Sequence, residues 1–173
     1  MQKHVLFIQG AGQGAYEEDG KLAEYLQNVL GSKYNVRYPR MPNEEEPKYE
    51  TWKIQIEKDL STLNGEVILV GHSVGGAVLL KYLSEEEMTN TITGVFLIAP
   101  PYDESVLQNP SPLNFDKIPG IFFYHSRDDE IVPFTHLTHY AEKLPKAIIR
   151  KFDGRGHQFN NDLSEVVEDI RGL

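Results

Sequence analysis

The sequence predicts an α/β fold in which a mostly parallel sheet of about six strands is covered by helices on both faces. The alternation of two kinds of segment supports this prediction. Short, continuous apolar runs alternate along the chain with segments whose apolar residues recur every three or four positions. Parallel neighbours require crossover connections, so this alternation favours a three-layer sandwich.

The predicted strands are six short segments of four to six residues, of which residues 34–38 alternate between apolar and polar side chains. Most of these runs are continuous rather than alternating, which is typical of strands buried on both faces. In chain order they are residues 5–8, 34–38, 67–70, 95–99, 121–124 and 147–152. Their number sets the expected width of the sheet.

The predicted helices are segments with helical periodicity between or after these strands. In the first, Leu22, Leu26 and Val29 share one helical face. The segments are residues 21–30, 52–63, 74–83, 135–144 and 163–170. The longest remaining connection, residues 100–117, is rich in proline and is predicted to be a loop.

Length, charge and residue usage exclude several classes of function. The 173 residues are 40% hydrophobic, which fits a single domain over residues 1–173 with a sizeable core. Lys and Arg number 17 against 26 Asp and Glu, a net charge of −9, which disfavours nucleic acid and anionic membranes as partners. With no cysteine, the chain has no disulfide, zinc–thiolate site or cysteine nucleophile.

The sequence shows no targeting or membrane-spanning pattern. Its first residues lack the long apolar stretch and cleavage site of a secretory signal. No apolar run approaches the roughly 20 residues that cross a bilayer. We therefore expect a soluble, cytoplasmic protein without a membrane partner.

The most specific motif is Gly71-His72-Ser73-Val74-Gly75, which lies between a predicted strand and a predicted helix. In this context G-x-S-x-G predicts a sharp turn that lifts the serine hydroxyl above the sheet edge. The helix N-terminus leaves the Val74 N–H unpaired, which suits an oxyanion. The alternative is a glycine–serine helix cap. We predict that Ser73 is a nucleophile.

His157 is the predicted general base, because a serine hydroxyl needs a group that removes its proton. It follows the last strand, in Gly154-Arg155-Gly156-His157, and ligand sites lie at the carboxyl ends of parallel strands. The alternative is a solvated loop histidine. His136 and His139 could form a metal-binding pair, but a third ligand is not obvious, so we predict a solvated helix face and no metal site.

Three consecutive acids, Asp128, Asp129 and Glu130, follow the fifth predicted strand. One of them could orient His157 and stabilise its charged form. We expect at least two of the three to be merely solvated. The order serine, acid, histidine is one of the known chain orders of a catalytic triad.

With these motifs in this order, the whole chain resembles a minimal α/β-hydrolase without a lid domain. Within that superfamily it is similar to the small serine hydrolases of the retinoblastoma-binding-protein type, which also have a short first strand and a Pro…Trp helix, here Pro47 and Trp52. The resemblance implies that Asp129, four residues before Pro133, is the acid of the triad.

The same resemblance implies an oxyanion loop after the first strand. Gln9-Gly10-Ala11-Gly12 would stand in for the family's H-G-x-G segment, with Gln9 in place of the usual histidine. Ala11 would then supply a second backbone N–H beside that of Val74.

These assignments predict a serine hydrolase that cleaves a small carboxylic ester, thioester or amide. Ser73 attacks the carbonyl carbon, His157 takes the serine proton, and Asp129 orients His157. The N–H groups of Val74 and Ala11 stabilise the oxyanion. An acyl-serine forms and is hydrolysed, and no cofactor is expected.

The substrate cleft is expected to be open and shallow, since no insertion is long enough to form a lid domain. Its predicted lining residues are Gly10, Gly12, Tyr16, Tyr102 and Phe159. The aromatic members would provide apolar walls, and the net negative charge would oppose bulky anionic substrates.

Two other functions are compatible with parts of the sequence. The segment Gly10-Ala11-Gly12-Gln13-Gly14 follows a strand as a dinucleotide-binding loop would, but its spacing is G-x-G-x-G rather than G-x-G-x-x-G. The second strand also lacks a terminal acid for a ribose. The other alternative is an interaction module that keeps the hydrolase fold without catalysis. A complete set of triad candidates favours the enzyme.

Overall fold

The computed structural model describes residues 2–108 and 115–173, which form one six-stranded parallel sheet. The strands are β1 (Lys3–Ile8), β2 (Tyr34–Arg37), β3 (Glu66–His72), β4 (Thr91–Ile98), β5 (Ile121–Ser126) and β6 (Ile148–Phe152). They lie in the order β2-β1-β3-β4-β5-β6. The predicted fold class and the number of strands are confirmed.

Five α-helices and two short 3-10 helices have both ends within the described residues. The α-helices are α1 (Ala15–Leu30), α2 (Tyr49–Ser61), α3 (Val74–Glu85), α4 (Thr135–Lys143) and α5 (Ser164–Arg171). The 3-10 helices cover Glu104–Leu107 and Phe159–Asn161. Of the predicted loop at residues 100–117, residues 109–114 lie outside the described part of the chain. No described helix has the length and apolar character needed to cross a bilayer.

Each face of the sheet carries its own hydrophobic core, because successive strand residues point to opposite faces. Leu6 and Ile8 belong to the core that α2, α3 and α4 cover. Val5 and Phe7 belong to the core that α1 and α5 cover. All four side chains are fully buried, which explains why this strand has a continuous apolar sequence. The arrangement is the predicted three-layer sandwich.

Helix α1 begins at Ala15, well before the predicted start at residue 21. The extra residues are largely acidic and show no apolar periodicity, so the pattern misses them. Acidic side chains in the first turn stabilise a helix through its dipole. The free N–H groups are capped from a distant loop, since the Glu44 carboxylate accepts hydrogen bonds from Gly14 (3.3 Å) and Tyr16 (2.8 Å).

The pairing of β1 with β3 brings two loops together at the carboxyl edge of the sheet. Ile8 lies opposite Gly71, so the glycine loop (residues 9–14) and the nucleophile turn (residues 71–75) leave the sheet side by side. The chain runs to one side from β1 and to the other from β3, which makes this pair the topological switch point. Open parallel sheets bind ligands at such a point.

Candidate active site

Ser73 occupies a strained backbone position between β3 and α3. Its φ and ψ are 50° and −126°, which a residue other than glycine adopts only where its surroundings enforce it. Two glycines make the turn possible. A Cβ on Gly71 would lie 2.6 Å from Cα of Gly76, and one on Gly75 would lie 2.2 Å from the Gln9 carbonyl oxygen. The backbone geometry agrees with the turn that the motif predicts.

His157 and Asp129 form a hydrogen-bonded pair. Nδ1 of His157 lies 2.8 Å from Oδ2 and 3.0 Å from Oδ1 of Asp129. The carboxylate is fully buried, and its Oδ1 also accepts hydrogen bonds from the N–H groups of Ile131 (2.9 Å) and Val132 (2.8 Å). A carboxylate held in this way orients the imidazole and favours the tautomer with a proton on Nδ1.

A second, fully buried histidine contacts the same carboxylate. Nε2 of His125 lies 3.2 Å from Oδ2 of Asp129 and 2.9 Å from the carbonyl oxygen of Val132. A carbonyl oxygen can only accept, so Nε2 carries a proton. Burial alone would raise the pKa of Asp129, but hydrogen bonds from His125 and His157 outweigh it and hold that pKa well below its usual range. Sequence reasoning missed this role of His125.

The two neighbouring acids contact the histidine loop (residues 153–158). Asp128 accepts hydrogen bonds from two backbone N–H groups of this loop at 3.2 and 3.3 Å, and Glu130 accepts one from the N–H of His157 at 3.3 Å. Both acids are exposed, as expected of a charge run. The expectation that they are merely solvated is corrected, because the turn after β5 brings both carboxylates to the loop backbone.

Ser73 and His157 line the same cleft at the carboxyl edge of the sheet, which has a volume of about 330 Å³. The other lining residues are Gly10, Ala11, Gln13, Gly14, Ala15, Glu18, Asp19, His72 and Gln158. Backbone and polar side chains dominate this lining, and its aliphatic side chains are those of two alanines. The cleft is therefore small and polar.

The two N–H groups predicted as oxyanion donors have no hydrogen-bond acceptor among the described residues. Gly10 donates its N–H to Asp19 at 2.7 Å, and Gly12 donates at 2.7 Å to a carbonyl oxygen of the loop before α2. Between them, the Ala11 N–H has no acceptor within the described part of the chain. The Val74 N–H lies in the first turn of α3, where a helix offers no internal acceptor.

The structure corrects the aromatic walls expected for this cleft. Phe159 is 1% exposed and packs edge-on against Phe152 in the core beneath α1 and α5. Tyr16 stacks on Tyr38, with ring centres 4.7 Å apart, and does not line the cleft. Burial and stacking stabilise an aromatic ring more than an open cleft would. Phe159 and Tyr16 therefore pack against other aromatic rings instead of lining the cleft.

The other predicted lining residues divide between two places. Gly10 lines the cleft, whereas Gly12 does not. Tyr102 lines a separate cavity and stacks on His139 of α4, with ring centres 4.9 Å apart. Its N–H also donates to Nδ1 of His136 at 2.7 Å, which holds it against α4. Within residues 2–108 and 115–173, no cluster of three or more suitable side chains could hold a metal ion.

Sequence reasoning also missed Asp19 and His72, which meet beside the nucleophile turn. Oδ2 of Asp19 lies 2.9 Å from Nδ1 of His72, and both side chains are 3% exposed. Burial opposes a charge on either group. Their mutual attraction nevertheless raises the pKa of His72 and lowers the pKa of Asp19. The position of His72 inside the G-x-S-x-G motif could have indicated that it lies at the site. Nothing in the sequence indicated that its partner is Asp19, 53 residues away.

A parallel sheet with a strained serine turn at its switch point and a carboxylate-bound histidine at the same edge defines the α/β-hydrolase class of proteins. The family model described as "Serine hydrolase" matches residues 17–162 of the chain. The chain therefore belongs to the serine hydrolase family, a family of hydrolytic enzymes. The predicted membership of the α/β-hydrolase superfamily is confirmed.

Among curated proteins, the chain is similar to YdeN of Bacillus subtilis, which is named as a hydrolase. The two are 26% identical over an alignment of 131 residues, which covers 68% of this chain and 66% of YdeN. The alignment thus spans slightly less than two thirds of that relative.

Solved structures show the same fold at low sequence identity. The YdeN structure from B. subtilis has a TM-score of 0.78 at 19% identity, covering 99% of this chain and 97% of that chain. For Est1E from Butyrivibrio proteoclasticus the TM-score is 0.69 at 14% identity, with coverages of 99% and 86%. For the methylesterase protein MES16 from Arabidopsis it is 0.70 at 16% identity, with coverages of 98% and 99%.

Proposed function

We propose that this protein cleaves a small carboxylic ester, thioester or amide through an acyl-serine intermediate. The observation that carries the proposal is the position of His157. One ring nitrogen is bonded to the buried carboxylate of Asp129, and the residue lines the cleft that Ser73 also lines. Nε2 is then the nitrogen that takes the serine proton. In this proposal, nucleophile, base and orienting acid act together at one site.

In the proposed reaction, Oγ of Ser73 attacks the carbonyl carbon while Nε2 of His157 takes its proton. The N–H groups of Val74 and Ala11 bind the oxygen on which negative charge develops. His157 then gives the proton to the leaving group, and the acyl group stays on Ser73. Water attacks this acyl-serine, again with His157 as base, and the carboxylic acid leaves.

The proposed substrate is small and not strongly anionic. A cleft of about 330 Å³ is at the lower end of ligand pockets, and no additional domain covers it among the described residues. Glu18 lies in the lining, and the whole chain carries a net charge of −9. Both disfavour a bulky anionic acyl group.

The cytoplasmic location stays a prediction that cell fractionation would test.

A fluorophosphonate activity probe tests the proposed nucleophile. We expect the wild type to be labelled and Ser73→Ala to remain unlabelled while keeping the same circular dichroism spectrum. His157→Ala should lose p-nitrophenyl acetate turnover by about 10³-fold or more, because the serine then has no base. Unlabelled, well-folded wild type would instead favour the catalytically silent interaction module, and protection from labelling by NAD would favour a nucleotide site.

A further inference from the structure

A single buried carboxylate, that of Asp19 on α1, receives hydrogen bonds from three other parts of the chain. Oδ2 accepts from the N–H of Gly10 at 2.7 Å and lies 2.9 Å from Nδ1 of His72. Oδ1 accepts from the side-chain amide of Gln158 at 2.9 Å. Asp19 is 2% exposed, so water cannot readily replace these partners.

His72 is bonded on both sides of its ring. Nδ1 contacts Asp19, and Nε2 lies 3.0 Å from the carbonyl oxygen of His157. A carbonyl oxygen and an ionised carboxylate can only accept, whereas a neutral imidazole has a single N–H. With Asp19 ionised, both ring nitrogens carry protons. The contacts describe a buried imidazolium–carboxylate ion pair.

We propose that Asp19 and His72 are positioning residues for the reaction, and that their ion pair fixes the glycine loop, the nucleophile turn and the histidine loop relative to one another. This inference rests on the proposed function. Three segments that are distant in sequence carry the oxyanion donor, the nucleophile and the base. The ion pair is the point at which all three are hydrogen-bonded together.

Close packing around the pair transmits its position to the reacting groups. A Cβ on Gly10 would lie 3.2 Å from Cβ of Ser73 and 3.4 Å from Oδ2 of Asp19. The glycine loop is thus in contact with both the nucleophile and the pair. If the pair breaks, the Ala11 N–H moves relative to Ser73. A misplacement of about 1 Å can cost on the order of 100-fold in rate.

A positioning role predicts a specific kinetic signature. Oxyanion donors and base act in the transition state, so their misplacement lowers kcat and leaves KM nearly unchanged. A pair acting as a unit also loses most of its effect when either member is removed. The second substitution should then add little to the first.

The test uses Asp19→Asn, His72→Gln and the double variant, with p-nitrophenyl acetate as substrate. Asn keeps the shape of Asp19 but replaces one acceptor oxygen with a donor, so the three donors are no longer all satisfied. Asp59→Asn is the matched control. Asp59 is 1% exposed and paired with Arg37 at 2.5 Å, but it does not line the cleft.

We expect each single variant to lower kcat by about 10- to 100-fold, with KM changed less than about twofold. The kcat of the double variant should lie within about threefold of the kcat of the less active single variant. Asp59→Asn should lose stability in urea and keep its kcat. Folded variants with wild-type kcat, or losses that multiply in the double variant, would overturn the proposal.

A second measurement on the wild type covers the case in which the variants fail to fold. The ¹⁵N chemical shifts of His72 should show both ring nitrogens protonated at pH 7.5. A neutral His72 ring there would overturn the ion pair. Failure of the fluorophosphonate probe to label the wild type would instead remove the proposed function, and the two failures are therefore distinguishable.

Discussion

Gln9 and Gly75 approach each other so closely that residue 75 has no room for a side chain. A Cβ on Gly75 would lie 2.2 Å from the carbonyl oxygen of Gln9 and 2.4 Å from that of Ile8. Both obstacles are backbone atoms of the strand end and loop beside the nucleophile turn. The second glycine of the motif is therefore required by the contact between β1 and α3.

Gly75→Ala should destabilise the protein by several kcal/mol, roughly 2–4, because backbone must shift to relieve the overlap. Gly20→Ala is the control. A Cβ on Gly20 would lie 3.8 Å from its nearest neighbour, an atom of Tyr38, which is an ordinary van der Waals distance. Gly20 lies within α1, where alanine has a higher helix propensity than glycine. Urea unfolding should show the first variant weakened and the second unchanged or strengthened. Equal stabilities for the two variants would contradict the role of the contact.

Asp129→Asn should lower p-nitrophenyl acetate turnover by about 10³- to 10⁴-fold, because an amide no longer holds His157 in the tautomer that accepts a proton at Nε2. Asp128→Asn should cost less than about 10-fold, since its carboxylate binds backbone N–H groups of the histidine loop and the Ser126 hydroxyl rather than the His157 ring. Steady-state kinetics on both variants makes the comparison. The opposite ranking would move the acid from Asp129 to Asp128.

Acid should remove the stabilisation that Asp129 provides. Its hydrogen bonds hold the folded pKa below the unfolded value of about 3.9, so its contribution is present above that pH and is lost as the pH falls towards the lower folded value. The difference in unfolding free energy between wild type and Asp129→Asn should be larger at pH 5 than at pH 2.5. Urea titrations at the two pH values measure it, and a difference independent of pH would contradict the assignment.

Glu44→Gln should destabilise the protein by about 1–2 kcal/mol, the usual cost of a lost helix cap or buried hydrogen bond. The Glu44 carboxylate caps α1 and also accepts a hydrogen bond from the Gln9 amide at 2.8 Å. An amide cannot accept at both of its ends. Glu45→Gln, one residue further in an exposed position, should have no measurable effect in thermal or urea unfolding. Indistinguishable variants would mean that the cap contributes little.

Longer acyl chains should give no advantage in this cleft. An apolar pocket would gain about 0.8 kcal/mol, or nearly fourfold in kcat/KM, for each buried CH₂ group. Among the described residues, the lining offers alanine methyls as its only aliphatic side chains. Across p-nitrophenyl acetate, butyrate and octanoate, we expect less than about a twofold change per CH₂. A steady rise in kcat/KM with chain length would reveal an apolar acyl site elsewhere.

The sequence alone determined the architecture and the turn. Continuous apolar runs predicted the four central strands, because a strand buried on both faces must be apolar along its length. The edge strand β2 was predicted from its alternation instead. G-x-S-x-G predicted the strained turn at Ser73, in which Gly71 packs against Gly76 inside the strand–turn–helix unit and Gly75 packs against the end of β1. Helix α1 was predicted only from residue 21, since periodicity reports packing on the core and its first turn is held by a hydrogen-bonded cap instead.

Only the tertiary structure decided which polar groups meet. Asp19 pairs with His72 across 53 residues, and Nε2 of His72 contacts a carbonyl oxygen 85 residues away. Three adjacent acids are equivalent as a sequence pattern, and the path of the loop after β5 brings Asp129 to Nδ1 of His157. Phe159, an expected wall of the cleft, lies in the core. Hydrogen-bond partners and ring packing depend on strand register and loop paths, which local residue patterns do not encode.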